Sequence, residues 1–202
     1  MLFVRYENWR QYIRFYPVNT MIIAACVVMF FVELAGGGFT TVNLLRLGAI
    51  TNDPAYSQWW RFIAALFLHG GWSHIFFNLF ALLVFAPPLE RLLGHVRYGL
   101  FYLASGVLGN LIAVGMATGF WSAVGASTAI YGIYGAYLYL CLFERDRLDQ
   151  SSRTTVYGIL ATGLIYSFVI PNIGYWAHIG GLAAGFVLYG LLKAMAARRP
   201  RR

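Results

Sequence analysis

An all-α polytopic membrane protein is the fold class this sequence predicts, and three observations carry it. Six apolar runs, each near the length that crosses a bilayer, follow one another along 202 residues. Hydrophobic residues make up 60% and charged residues only 11%, whereas soluble domains carry about 25% charge. The basic residues collect at alternate run ends, as the positive-inside rule requires of a multi-pass protein.

The chain opens on Met1–Tyr16, aromatic and basic, and unlike a secretory signal. The first apolar run, Val18–Leu34, lacks a convincing small-residue cleavage site and is expected to stay as a helix. The others are Trp72–Leu89, Tyr98–Ala117, Val124–Phe143, Val156–Ile170 (the shortest) and Tyr175–Leu192. Each approaches the roughly 17–25 residues that span a hydrocarbon core. Residues 1–17 are therefore expected as a cytoplasmic segment, 18–193 as one compact six-helix membrane domain, and 194–202 as a basic cytoplasmic tail.

Charge sets the orientation. Arg5, Arg10 and Arg14 precede the first run, and Arg91 and Arg97 lie between the second and third. Arg145, Arg147 and Arg153 lie between the fourth and fifth, and Lys193, Arg198, Arg199, Arg201 and Arg202 close the chain. The opposite side holds only Arg46 and Arg61. Both termini are thus expected in the cytoplasm. The net charge of +8 is scattered along segment ends, so its partner is the lipid bilayer surface and no nucleic acid is expected. A cell (plasma) membrane of bacterial type is the expected location. Cys26 and Cys141 both fall in apolar runs and read as packing residues, with no disulfide, metal site or cofactor implied.

One external connection, residues 35–71, is long for a passive loop. It contains Trp59, Trp60 and Arg61 ahead of the apolar Phe62–Leu68. Composition leaves two readings open, a segment lying in the headgroup region and a loop that merely anchors.

Polar side chains are costly in hydrocarbon, so those within the runs point to function or to interhelical bonding. His74 and Asn78 fall in the first two turns of the second helix, Ser127 at the start of the fourth and His178 at the start of the sixth. Those three helices all run from outside to inside, so at 1.5 Å per residue the four groups share one depth near the outer face. A serine with a neighbouring histidine can become a nucleophile, and an amide with a second histidine can donate to an oxyanion. Taken alone, a serine beside Gly125 and Ala126 reads as a small packing residue. His74 and Asn78, four apart, face the same way. Ala177, Gly181 and Gly185 recur every four residues, as do Gly132 and Ala136, which predicts close approach of helices four and six. Tyr131, one turn below Ser127, is expected to pack against the imidazole. Asn110 is expected to bond a neighbouring helix, and His95 to be solvated in a cytoplasmic turn. No His-Glu-x-x-His stretch occurs, and the seven acidic residues lie at segment ends or outside. Zinc and aspartyl chemistries, and the acidic member of a triad, are thereby disfavoured, leaving a Ser–His dyad.

These pieces resemble the rhomboid family of intramembrane serine proteases over almost the whole chain. The resemblance rests on Trp60-Arg61, on His69-x4-His74-x3-Asn78, on Gly125-Ala-Ser127 with Tyr131, and on Ala177-His178-Ile-Gly-Gly181. Glu90 also falls where the family commonly has an acidic residue. The resemblance implies a six-helix bundle of rhomboid type whose long first external loop is membrane-associated and held by structural Trp60 and Arg61. It implies Ser127 as nucleophile and His178 as general base, with Asn78, His74 and the Ser127 N–H as the oxyanion hole. Gly125 would permit close packing at the nucleophile, Tyr131 would support His178, and Gly181 completes the histidine motif. Substrates would be transmembrane segments of other proteins, cut near the outer face. The family pattern Gly-x-Ser-Gly ends here in Thr128, which predicts a narrower active site or a shifted helix start. The competing expectation is a non-catalytic relative that binds transmembrane helices. A solute carrier would need a midplane site and matching halves, which are not visible.

Overall fold

Nine α-helices and one two-stranded antiparallel ladder occur among the described residues, 2–169 and 174–197 of the computed structural model. The first helix, α1 (Trp9–Phe15), begins at a capping box in which Asn8 and Gln11 satisfy each other's backbone N–H groups. Pro17 at the first helical position then starts α2 (Pro17–Ala35). No local side chain caps α2. Instead the fully buried Glu90 accepts the N–H groups of Val18 and Asn19 at 3.0 and 2.9 Å. Glu90 also lies 2.8 Å from His95 Nδ1, so His95 is tied to a buried carboxylate rather than simply solvated.

The connection after α2 is structured. It holds α3 (Thr41–Leu47), the strand β1 (Ile50–Thr51), a 3-10 turn at Pro54–Tyr56, and α4 (Arg61–Ala64), which tightens into a second 3-10 turn. Arg61 is 5% exposed and points inward. Its Nη1 donates to the carbonyls of Leu45 and Ala49 at 2.6 and 3.2 Å, and its Nε to Gln58. The guanidinium also lies 4.8 Å from the ring centres of Tyr56 and Trp60. Three of its five donors thus have carbonyl and amide partners within the loop, which gives Arg61 a structural place there. Trp60 fills the space above Gly48, whose φ of +116° closes α3 in the left-handed region.

Next come α5 (Trp72–Leu93) and α6 (His95–Met116), joined at Gly94 with φ +80°. Pro87 and Pro88 lie inside α5, and Pro88 cannot donate to the carbonyl of Val84. Arg5 donates to that carbonyl at 3.3 Å, replacing the missing helical bond from the N-terminal segment. The strand β2 (Ser122–Ala123) pairs with β1, Ile50 opposite Ala123 and Thr51 opposite Ser122. Then α7 (Ser127–Phe143) begins later than the apolar run that predicts it, because residues 124–126 form an extended approach and turn. The eighth helix, α8 (Gln150–Val169), begins earlier than expected. Asp149 caps it by accepting the Ser152 N–H at 3.0 Å and the Ser152 hydroxyl at 2.7 Å. Last is α9 (Tyr175–Ala197), which continues past the expected boundary at 193. Ile170 and the tail arginines 198, 199, 201 and 202 lie outside the described residues.

Among the described residues, four helices, α2, α5, α6 and α9, are long and apolar enough to cross a membrane, and α7 is a shorter apolar helix. The longer α8 carries a polar first third, Gln150–Thr155, which dilutes its apolar character. At the centre, α7 and α9 meet backbone to backbone. A Cβ on Gly185 would collide with the carbonyl of Gly132, and one on Gly181 with the carbonyl of Thr128. On α6, Gly109 completes the contact, since a Cβ there would fall 2.6 Å from the Gly181 nitrogen.

Candidate active site

Ser127 is the first residue of α7, and the structure holds the chain leading to it from two sides. The β1–β2 ladder fixes residues 122–123 against the loop, and the Gly125 N–H donates to the Ala65 carbonyl at 2.8 Å. Gly125 has φ +133°, which a side chain rarely adopts. A Cβ there would also stand 2.6 Å from His74 Nε2. The close meeting of α7 and α9 then puts the two helix starts side by side. His178 Nε2 lies 2.9 Å from Ser127 Oγ. The Tyr131 ring stacks on the His178 imidazole, with centroids 4.2 Å apart and planes within 6°.

From α5, His74 and Asn78 face the same space. The Gly70 N–H donates to His74 Nδ1 at 3.3 Å. That acceptor role puts the ring proton on Nε2 in the neutral imidazole. Asn78 is 4% exposed, and its Nδ2 has no hydrogen-bond acceptor among the described residues. A buried amide donor left unspent is uncommon and calls for an explanation. Ser127, His178, His74 and Asn78 all line a groove of about 700 Å³ between α5 and α8, walled by Phe77, Phe80, Tyr134, Ile159 and Tyr166. Its lining is mostly apolar with a few convergent polar groups, as binding clefts commonly are.

Trp60 and Arg61 sit away from this groove, in the loop that supports Ala65. Gly181 acts through the α7–α9 approach. Thr128 turns away from the groove. It is buried, its methyl against Gly109 and Gly181, and its hydroxyl donates to Asn110 Oδ1 at 3.1 Å. Asn110 in turn donates to the Phe62 carbonyl at 3.1 Å, so it ties α6 to α4 and α7. Thr128 thus does not line the groove, but with Ser127, His178 and Asn110 it lines a separate, smaller cavity, and α7 starts at Ser127 itself.

One contact of the histidine is not legible in the sequence. Ser167 of α8, 2% exposed, lies with its Oγ 2.7 Å from His178 Nδ1, 2.7 Å from the Gly163 carbonyl and 3.2 Å from the Tyr131 hydroxyl. A serine four residues after a glycine in an apolar helix carries no local signal of such a role.

The rhomboid domain matches residues 56–195 of this chain, from the loop before α4 almost to the end of α9. The chain belongs to the rhomboid family. It is 36% identical to the rhomboid YdcA of Bacillus subtilis over 203 residues, covering 98% of this chain and all of that protein. It is 36% identical to the rhomboid protease GluP of the same organism over 181 residues, 87% of this chain but 35% of GluP. Rhomboid-type serine protease 2 of Emericella nidulans is 35% identical over 148 residues, 70% of this chain and 28% of that protein. With its long apolar helices, this rhomboid is a membrane protein.

Proposed function

We propose that this rhomboid is an intramembrane serine endopeptidase that cuts transmembrane segments of other membrane proteins near the outer face, using Ser127 and His178. The observation that carries the reading is the 2.9 Å approach of Ser127 Oγ to His178 Nε2 at the head of an apolar groove. In the reaction, Ser127 Oγ attacks the scissile carbonyl as His178 Nε2 takes its proton. The oxyanion receives donation from the Asn78 amide, from His74 Nε2–H and from the Ser127 backbone N–H. Collapse breaks the C–N bond, and His178 returns the proton to the leaving amine. Water, deprotonated by the same imidazole, then hydrolyses the acyl-enzyme and frees Ser127. All of this uses the chain's own residues, with no metal or cofactor in any step.

In this reading six helices cross the bilayer, α2 and α5 to α9, with both termini cytoplasmic and the structured first loop at the outer face. The distribution of basic residues supports that orientation. A reporter fused after Arg202 should be active only inside. The competing reading, a rhomboid that binds transmembrane helices without cutting them, has no need of a serine–imidazole contact at 2.9 Å. The experiment is to incubate detergent-purified protein with a helix-destabilised model transmembrane substrate, beside Ser127→Ala. Equal product from both preparations would defeat the assignment. Labelling of Ser127 by a fluorophosphonate separates an enzyme from a pure binder.

A further inference from the structure

Two hydrogen bonds of one hydroxyl decide which nitrogen of His178 carries the proton. A serine hydroxyl has a single proton to give and two lone pairs to receive. Ser167 spends its proton on the Gly163 carbonyl one turn back in α8, at 2.7 Å. Its Oγ can then only accept, and the group 2.7 Å away is His178 Nδ1. A neutral imidazole that donates from Nδ1 keeps a free lone pair on Nε2, where Ser127 lies at 2.9 Å. We propose that Ser167 is the positioning residue of His178, fixing the Nδ1–H tautomer that lets Nε2 act as base.

The surroundings favour the same assignment. Among the described residues, the two ring nitrogens of His178 meet Ser127 on one side and Ser167 on the other. Tyr131 clamps the ring face, and its hydroxyl supplies the second hydrogen bond that Ser167 Oγ can accept, at 3.2 Å. That hydroxyl also explains Gly163, because a Cβ there would lie 2.6 Å from Tyr131 Oη. Neutral serine thus fills the place an aspartate holds in a Ser-His-Asp triad, without burying a charge in a membrane. The base is also referenced to α8, which walls one side of the groove through Ile159, Thr162, Gly163 and Tyr166.

This inference rests on the protease reading, so the test must separate the two. Full-length protein in detergent is prepared as wild type, Ser167→Thr, Ser167→Val and Ser167→Ala. Threonine and valine have the same shape, and only threonine keeps the hydroxyl. Loss of one neutral hydrogen bond is worth about three- to tenfold. Ser167→Val and Ser167→Ala should lower kcat per folded molecule by that factor with KM unchanged, and Ser167→Thr should retain activity. In protein labelled with 15N-histidine, the His178 resonances, identified by their loss in His178→Gln, should show Nδ1–H in wild type. In Ser167→Val they should shift toward Nε2–H. Wild-type kcat in Ser167→Val would overturn the inference alone. So would an equal loss in the threonine variant, or an unchanged tautomer. A wild-type chain that cleaves nothing would overturn the protease reading, and the inference about its base with it.

Discussion

Gly125 stands so close to His74 that a single added methyl group would fall 2.6 Å from its Nε2. The same glycine holds φ at +133°, so an alanine would be strained even with space to spare. Both constraints act on the residue two before Ser127. Gly125→Ala should therefore push His74 and the start of α7 apart and lower turnover by more than about tenfold, since misplacement by 1 Å can cost about 10²-fold. Cleavage rate and fluorophosphonate labelling of Ser127 should fall together. Full activity in Gly125→Ala would mean that this contact does not shape the site.

Ser127→Ala and His178→Ala should each abolish cleavage, and the double variant should be no worse than either, because members of a dyad act as a unit. Their stabilities should differ, however. Ser127→Ala removes one half-exposed hydroxyl, while His178→Ala also removes the ring stacked on Tyr131 and the donor to Ser167. Thermal unfolding in detergent should show the larger loss for His178→Ala. Wild-type cleavage by Ser127→Ala would refute the nucleophile.

The helices were legible in the sequence because lipid-compatible runs are long, and a histidine or serine inside one stands out against its surroundings. The meeting of His74, Asn78, Ser127 and His178 at one groove is what helix rise leads one to expect once their three helices are taken to run the same way. What the sequence hid depends on tertiary contacts. Glu33 and Glu90 lie at helix ends, where solvation is the natural expectation, yet both are fully buried. They are held there by backbone donors from distant segments, His69 for Glu33 and Val18 with Asn19 for Glu90. Ser167 is hidden for the same reason, since its partner lies across a helix interface. By contrast α1 carried a readable signal, Asn8 followed three residues later by Gln11, which the aromatic and basic composition of residues 1–17 masks.

Arg61 gives the loop its shape, so its removal should be felt as lost stability rather than lost chemistry. Arg61→Ala leaves the carbonyls of Leu45 and Ala49 without this donor, and an unsatisfied buried group costs about 1–3 kcal/mol. Arg61→Lys should recover only part of the loss, because an ammonium cannot reproduce the planar fork between Tyr56 and Trp60. Thermal stability in detergent should rank wild type, then lysine, then alanine. An alanine variant as stable as wild type would show that the loop does not depend on this side chain.

Asn78 separates chemistry from structure most cleanly. Its Nδ2 is buried and meets no acceptor among the described residues, so the amide is not spent on tying α5 to a neighbour. An interhelical hydrogen bond would in any case stabilise by only about 0.6 kcal/mol on average. A donor kept for an oxyanion acts mainly in the transition state, so Asn78→Ala should lower kcat with little change in substrate binding. Removal of one such donor typically costs about 10²–10³ in rate. The loss here should sit at or below the lower end of that range, because His74 Nε2–H and the Ser127 N–H remain. Turnover and thermal stability should be measured on the same Asn78→Ala preparation. A fall in turnover at unchanged stability is the expected result. Lost stability with full turnover per folded molecule would make Asn78 a structural residue and leave the oxyanion to His74 and the backbone.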